Sequence, residues 1–168
     1  MAGSHIPKVR LDHICLITIR GEKRRIPVRL GGLPVLPETF ETARLLLRPV
    51  AAVDVGAIFD TYAQDEEVTR YAIWRPHRSR SQTQAYVERC IATPADLERT
   101  YMLVGHEDDV VRGAFALRRR APHRLDCGYV LAHRWWRQGL MTEALTEVTA
   151  CALRQSSGFR IGAASNPG

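Results

Sequence analysis

Lysine is nearly absent from this chain. Of its 24 basic residues only Lys8 and Lys23 are lysines, so the charge of +6 is carried by arginine. Arginine stays charged and grips phosphate or carboxylate with two parallel N–H groups. The balance therefore fits a polyanionic ligand, an acidic substrate or nucleic acid. Arg118, Arg119, Arg120 and Arg124 make the densest cluster, with His123 among them. No aromatic residues interleave it, so it reads as a solvated strand end and nucleic acid is disfavoured as a partner. Long apolar runs are also missing. None nears the roughly 20 residues a membrane helix needs, so no membrane partner is expected. The first apolar stretch, Ile14 to Ile19, is too short for a secretory signal and follows Asp12 and His13; a cytoplasmic location is the expectation. Cysteine clusters are lacking too. Cys15, Cys90, Cys127 and Cys151 are far apart and match no zinc spacing, so no metal site is expected and free thiols are the default. Cys127 as a nucleophile is the alternative, with no adjacent histidine in its favour. Repeats and low-complexity runs are absent.

What is present is one domain's worth of alternating elements. At 168 residues the chain can bury a real core. Ile14–Ile19 and Arg25–Leu30 flank Gly21 and predict a β-hairpin with Pro27 on an edge strand. Gly31 to Pro34 and Pro37 read as a linker, which makes residues 1–40 an N-terminal extension and 41–168 the domain. Arg44–Val50 predicts a strand. Asp54 is placed to cap a helix through about Ala63, and Ser81 starts another that Thr93-Pro94 ends. Tyr101–Gly105, Val110–Leu117 and Leu125–Leu131 predict three strands. A helix from Gln138 to about Gln155 follows, carrying Leu140, Ala144, Val148, Cys151 and Ala152 on one face. Gly158 is its expected stop, and Phe159–Ala164 the last strand.

The most informative segment joins the third of those strands to the long helix. Trp135-Trp136-Arg137-Gln138-Gly139-Leu140-Met141-Thr142-Glu143-Ala144 is a short glycine loop between a strand and a helix start. The first N–H groups of a helix lack internal partners and its dipole favours anions, so such a loop is a phosphate cradle. Gly139 lets the ligand approach the backbone closely. An ordinary strand-to-helix turn is the bland alternative.

Its flanks resemble the GNAT superfamily of acyl-CoA-dependent N-acetyltransferases, and in particular the RimJ/RimL-like branch. That branch reads "ELGY", then "W-G-x-G-x-x-T-E-A"; here stand Asp126-Cys127-Gly128-Tyr129 and Trp136 to Ala144. Trp136 takes a place that holds Gln or Arg in the superfamily at large, and Met141 one that holds Gly or Ala. Thr42 to Pro49 is similar to the branch's opening strand, and Glu66 to Tyr71 to its "PEVTRY" segment.

The resemblance implies an α+β (α/β) fold, a mixed and mostly antiparallel sheet flanked by helices. It also implies a domain still incomplete at its C-terminal end, since Ser165-Asn166-Pro167-Gly168 matches the start of a turn that the family follows with a helix and two strands. The hairpin, from the same chain or a homodimer mate, is expected to cover part of that unfinished sheet. The implied activity is acetyl-CoA-dependent N-acetylation of a primary amine, a protein N-terminus or a small amine. The alternative is an impaired remnant that binds acyl-CoA or a partner chain without turnover. By the same resemblance Arg137, Gln138, Gly139, Leu140, Met141 and Thr142 hold the pyrophosphate. Tyr129, Val130 and Leu131 pair with the pantetheine arm, and Asp126 is the general base. Trp74, Arg75 and His77 line the acceptor site. Read from residues alone, Asp126 is equally a surface partner of Arg124 or Arg118. Trp74 is equally an exposed packing residue, and Trp135 and Trp136 are most simply core or rim.

Overall fold

The computed structural model describes residues 36–70, 72–121, 124–154 and 160–163, and the backbone alone of 14–19 and 22–27. The expected linker at Gly31–Pro34, the helix stop at Gly158 and the Ser165–Gly168 turn lie outside these residues.

The expected hairpin forms, but its second strand begins at Glu22 instead of Arg25, so Glu22 and Lys23, expected in the connection, are paired. β1 (Ile14–Ile19) pairs antiparallel with β2 (Glu22–Pro27), from Ile14 opposite Pro27 to Ile19 opposite Glu22. It makes its own two-stranded sheet and lends no strand to the main one. Among the described residues the expected cover over the last strand is therefore not built by strand pairing within the chain. Pro27 offers no N–H with which to extend a ladder.

The main sheet has six strands: β3 (Phe40–Glu41), β4 (Leu45–Pro49), β5 (Glu98–Gly105), β6 (Val111–Ala121), β7 (Arg124–Leu131) and β8 (Arg160–Ala163). They lie in sequence order, antiparallel except for the parallel pair β7–β8. Tight connections give the antiparallel ladder. His106 to Asp109 turns β5 into β6, with Asp109 at φ 53°. The parallel pair needs a crossover, and α4 (Leu140–Arg154) supplies it.

Period-two alternation sorts the side chains onto two faces. Leu45, Leu47, Tyr101, Leu103, Phe115, Leu117, Leu125 and Cys127 pack under α4, against Leu140, Ala144, Val148, Cys151 and Ala152. Leu36 and Phe40 join that core, and the Tyr101 hydroxyl donates to the Pro37 carbonyl at 2.7 Å. Truncating a side chain buried like Leu140 to alanine costs about 2–5 kcal/mol. Met102, Val104 and Ala114 face the other way, onto α1 (Asp54–Ile58) and α3 (Arg80–Ala92). The result is three layers with the sheet in the middle. Among the described residues no helix is long and apolar enough to cross a membrane.

Two local features depart from expectation. The first helix continues past Ile58 as a π-helical turn over Phe59–Ala63, and a short α2 (Glu66–Thr69) is capped by Asp65. Asp54 does not cap. It is the first helical residue, and its buried carboxylate accepts from both terminal nitrogens of Arg48, at 2.9 and 2.6 Å, and from the Ala51 N–H. A forked guanidinium holds a carboxylate more strongly than one helix N–H can.

Candidate active site

β7 is a strand with two different edges. Along β6 it is paired from Arg124 to Leu131. Toward β8 its pairing ends at Cys127 opposite Ala163, among the described residues. The Ala132 N–H donates to the Arg112 carbonyl on the β6 side. Alternation then turns the N–H and C=O of Tyr129 and Leu131 the other way, onto the edge beyond β8's last pair. Tyr129 is 53% exposed there, while Leu131 packs partly against the α4 core and Val130 against the opposite one. The Leu131 carbonyl is not free, because the Trp136 indole donates to it at 2.6 Å.

The chain then makes a 3-10 turn over His133–Trp135. Trp135 packs against both cores, and the guanidinium carbons of Arg112 and Arg134 stand 4.3 and 5.4 Å from its ring centroid. Trp136 lies edge-on to His133 at 4.6 Å. Arg137 follows at φ 60° and Gly139 at φ 74°. A left-handed arginine costs roughly 1–3 kcal/mol that the surrounding fold must sustain, and the branch pattern has glycine at that place. The first bond of α4 runs from the Glu143 N–H to the Gly139 carbonyl. Gly139 is thus the cap residue, and the N–H groups of Leu140, Met141 and Thr142 precede any intrahelical partner. Leu140 and Met141 send their side chains into the core. Met141 is partly buried against that core.

Sequence reasoning missed the residue that fastens this turn. Arg44, 99 positions before Glu143, donates to its carboxylate from the backbone N–H at 2.9 Å and from Nε at 2.8 Å. It also reaches the Gln138 carbonyl at 2.8 Å. Some burial works against the charge on Glu143, but hydrogen bonds from Thr42 and Arg44 prevail and hold its carboxyl below the ordinary range. Both residues lie in segments singled out for resemblance; their contact has no local signature.

At its other end β7 carries Asp126, on the face toward α1 and α3. The carboxylate bonds Arg120 at 2.9 Å and Arg124 at 3.3 Å. The Arg124 contact matches the surface-partner reading. Arg118 instead pairs with Glu98 at 2.8 Å and lies across Gly128, where a Cβ would stand 2.9 Å from its terminal nitrogen. Cys127 points under α4, and burial raises its thiol above the usual range. A protonated buried thiol is not a nucleophile.

Trp74 and Arg75 line a surface cavity of about 340 Å³ with Glu66, Thr69 and Arg70. His77 is absent from that lining. Its Nδ1 stands 2.9 Å from the Thr83 hydroxyl, its backbone N–H donates to the Ala63 carbonyl, and burial lowers its pKa. It fastens α3 to the end of the π turn.

An acetyltransferase (GNAT) domain model matches residues 44–167. The chain belongs to the GNAT acetyltransferase family. Solved structures agree on the GNAT fold. The acetyltransferase (GNAT family) from Bacillus anthracis matches with a TM-score of 0.58 at 18% identity, over 67% of this chain and 63% of that one. A GCN5-related N-acetyltransferase from Brucella melitensis matches at 0.63 and 17% identity, over 77% and 61%. A Vibrio cholerae protein provisionally described as a ribosomal-protein-serine acetyltransferase matches at 0.64 and 17%, over 73% and 71%. The chain spans about three fifths of the length of the first two. A comparison with curated proteins finds no match.

Proposed function

We propose that this GNAT domain transfers an acetyl group from acetyl-CoA to a primary amine and that it stands in the RimJ/RimL-like branch. The observation that carries the reading is the helix start at Gly139: the N–H groups of Leu140, Met141 and Thr142 precede the first intrahelical bond, and among the described residues the β7–β8 pairing ends at Cys127, four residues before Leu131. A pyrophosphate suits the N–H groups of residues 137–142 and the positive end of α4. An amide-bearing arm suits the outward groups of Tyr129 and the Leu131 N–H, as an added strand would. The Leu131 carbonyl is the exception, being held by Trp136.

In the proposed transfer the neutral amine attacks the thioester carbonyl carbon. A C–N bond forms, the C–S bond breaks, and the leaving sulfur gains a proton. Asp126 takes the amine's proton, directly or through water; it is the single carboxylate of β7. Trp74 and Arg75 line the proposed acceptor cavity, and His77 supports its wall. The acceptor proposed is a protein N-terminus or a small amine; the Vibrio cholerae neighbour is described as acting on a ribosomal protein serine. The test is thiol release from acetyl-CoA in the presence of N-terminal peptides and of small amines. Release that depends on the acceptor supports the proposal. Saturable acetyl-CoA binding without release would leave a binding domain and overturn it.

A further inference from the structure

We infer that Arg44 is the positioning residue of the phosphate turn, setting the direction of the Gly139 N–H through the carbonyl of Gln138. The inference rests on the reading of residues 137–142 as the CoA phosphate site.

The geometry is specific. One guanidinium is used twice: Nε binds Glu143 in the first turn of α4, and NH1 binds the Gln138 carbonyl just before it. The backbone N–H of Arg44 adds a second bond to the same Glu143 carboxylate. The start of β4 is thereby tied both to the helix and to the turn that precedes it. The Gln138 carbonyl and the Gly139 N–H belong to one trans peptide, so they point in opposite directions. By drawing the oxygen to itself, Arg44 aims the N–H away. This peptide joins Gln138 to Gly139, whose φ is 74°, one residue after the left-handed Arg137. Gly139 is the residue type that tolerates either orientation, so nothing in its own backbone prevents a flip. A flip would put a carbonyl oxygen where a phosphate expects a donor. A Cβ at Gly139 would stand 3.6 Å from NH2 of Arg44, an ordinary contact, so the guanidinium lies alongside the turn without crowding it. Glu143 offsets the charge of Arg44, which would otherwise meet the positive end of the helix unfavourably.

A residue that acts through a phosphate-facing peptide affects ligands that carry phosphates and spares those that do not. The experiment compares CoA with pantetheine, which lacks them, by calorimetry on the full chain and on Arg44→Met. CoA affinity should fall about tenfold, the loss of one well-aimed charge-assisted hydrogen bond. Pantetheine affinity should stay within about twofold. Should Arg44→Met fail to fold, Glu143→Gln keeps the shape, releases the Nε contact, and should show the same selective loss at a smaller size. A folded variant that binds CoA like the wild type overturns the inference. So does one that loses CoA and pantetheine in equal proportion, since that marks a purely structural tie. Wild-type protein that binds neither ligand overturns the phosphate-site reading itself, and the inference with it.

Discussion

The two ends of β7 handle polar groups in opposite ways. At the Arg124 end the polar groups are side chains, and they satisfy one another: Asp126 with Arg120 and Arg124, and Glu98 with Arg118. At the Leu131 end they are backbone groups: the N–H groups of Leu140, Met141 and Thr142 precede the first intrahelical bond, and among the described residues β8 pairs no further than Cys127. Arg137, Gln138, Gly139 and Thr142 are exposed, so water meets their N–H groups when no ligand does. Where a fold concentrates them beside a left-handed arginine and glycine, a ligand that supplies acceptors is the natural complement. Strain and openness gather at one end, and charge saturation at the other. On the proposed function the Leu131 end binds the cofactor, while the Arg124 end offers β7's single carboxylate to proton transfer.

The largest expected effect separates those roles. Asp126→Asn keeps the shape and removes the base, so turnover should drop roughly 10²–10⁴-fold. CoA affinity, set at the far end of the strand, should hardly move. Wild-type turnover in this variant across the pH range would reduce Asp126 to a surface ion-pair partner. It would also erase the functional half of the comparison.

A smaller effect sharpens the claim that the Leu131 end works through its backbone. Arg137→Gly relieves the left-handed strain and should stabilise the fold by about 1 kcal/mol. That is roughly 2–4 °C in a melting curve for a chain of this size. CoA affinity should stay within a few-fold. A large loss of CoA binding would assign the phosphate to the Arg137 side chain instead of the turn's N–H groups.

The smallest effect concerns pH. The Glu143 carboxyl is depressed in the folded protein relative to an unfolded value near 4.5. Its contribution to stability is therefore complete above the unfolded value. It fades as the pH falls through 4.5 toward the folded one. Denaturant titrations below about pH 5 should show a shallower acid decline in Glu143→Gln than in the wild type. Parallel curves would mean that the tie to Arg44 does not favour the ionised carboxylate.

The order of the elements was legible because each signal is local. The apolar runs in Arg44–Val50 and Leu125–Leu131, the spacing from Leu140 to Ala152, and the Thr93-Pro94 stop all lie within a few residues. The glycine turn before the long helix was legible for the same reason, and the family model matches the residues around it. What escaped has no local signature. Arg44 meets Glu143 across 99 positions, and nothing in either segment names the other. Trp136 looked like rim packing, yet its indole N–H ends on Leu131. Asp54 carries the residue type of a cap, but Arg48, six residues earlier, competes for its carboxylate. Arg137 occupies a conformation that sequence rules reserve for glycine. His77, grouped with Trp74 and Arg75 as an acceptor residue, stands 5.5 Å from the Trp74 ring but outside the cavity lining, tied to Thr83 and Ala63.

The central claim is that the backbone of residues 137–142 binds the CoA phosphates. Gly139 sits at φ 74°, where a β-branched side chain is a genuine outlier. Gly139→Val must therefore rebuild the turn and turn its N–H groups away. The direct test is calorimetric titration of CoA into the wild type and Gly139→Val, with melting curves to confirm that both are folded. The account predicts saturable binding by the wild type and a loss on the order of 10²-fold in the variant. Equal affinity in two folded proteins would contradict it.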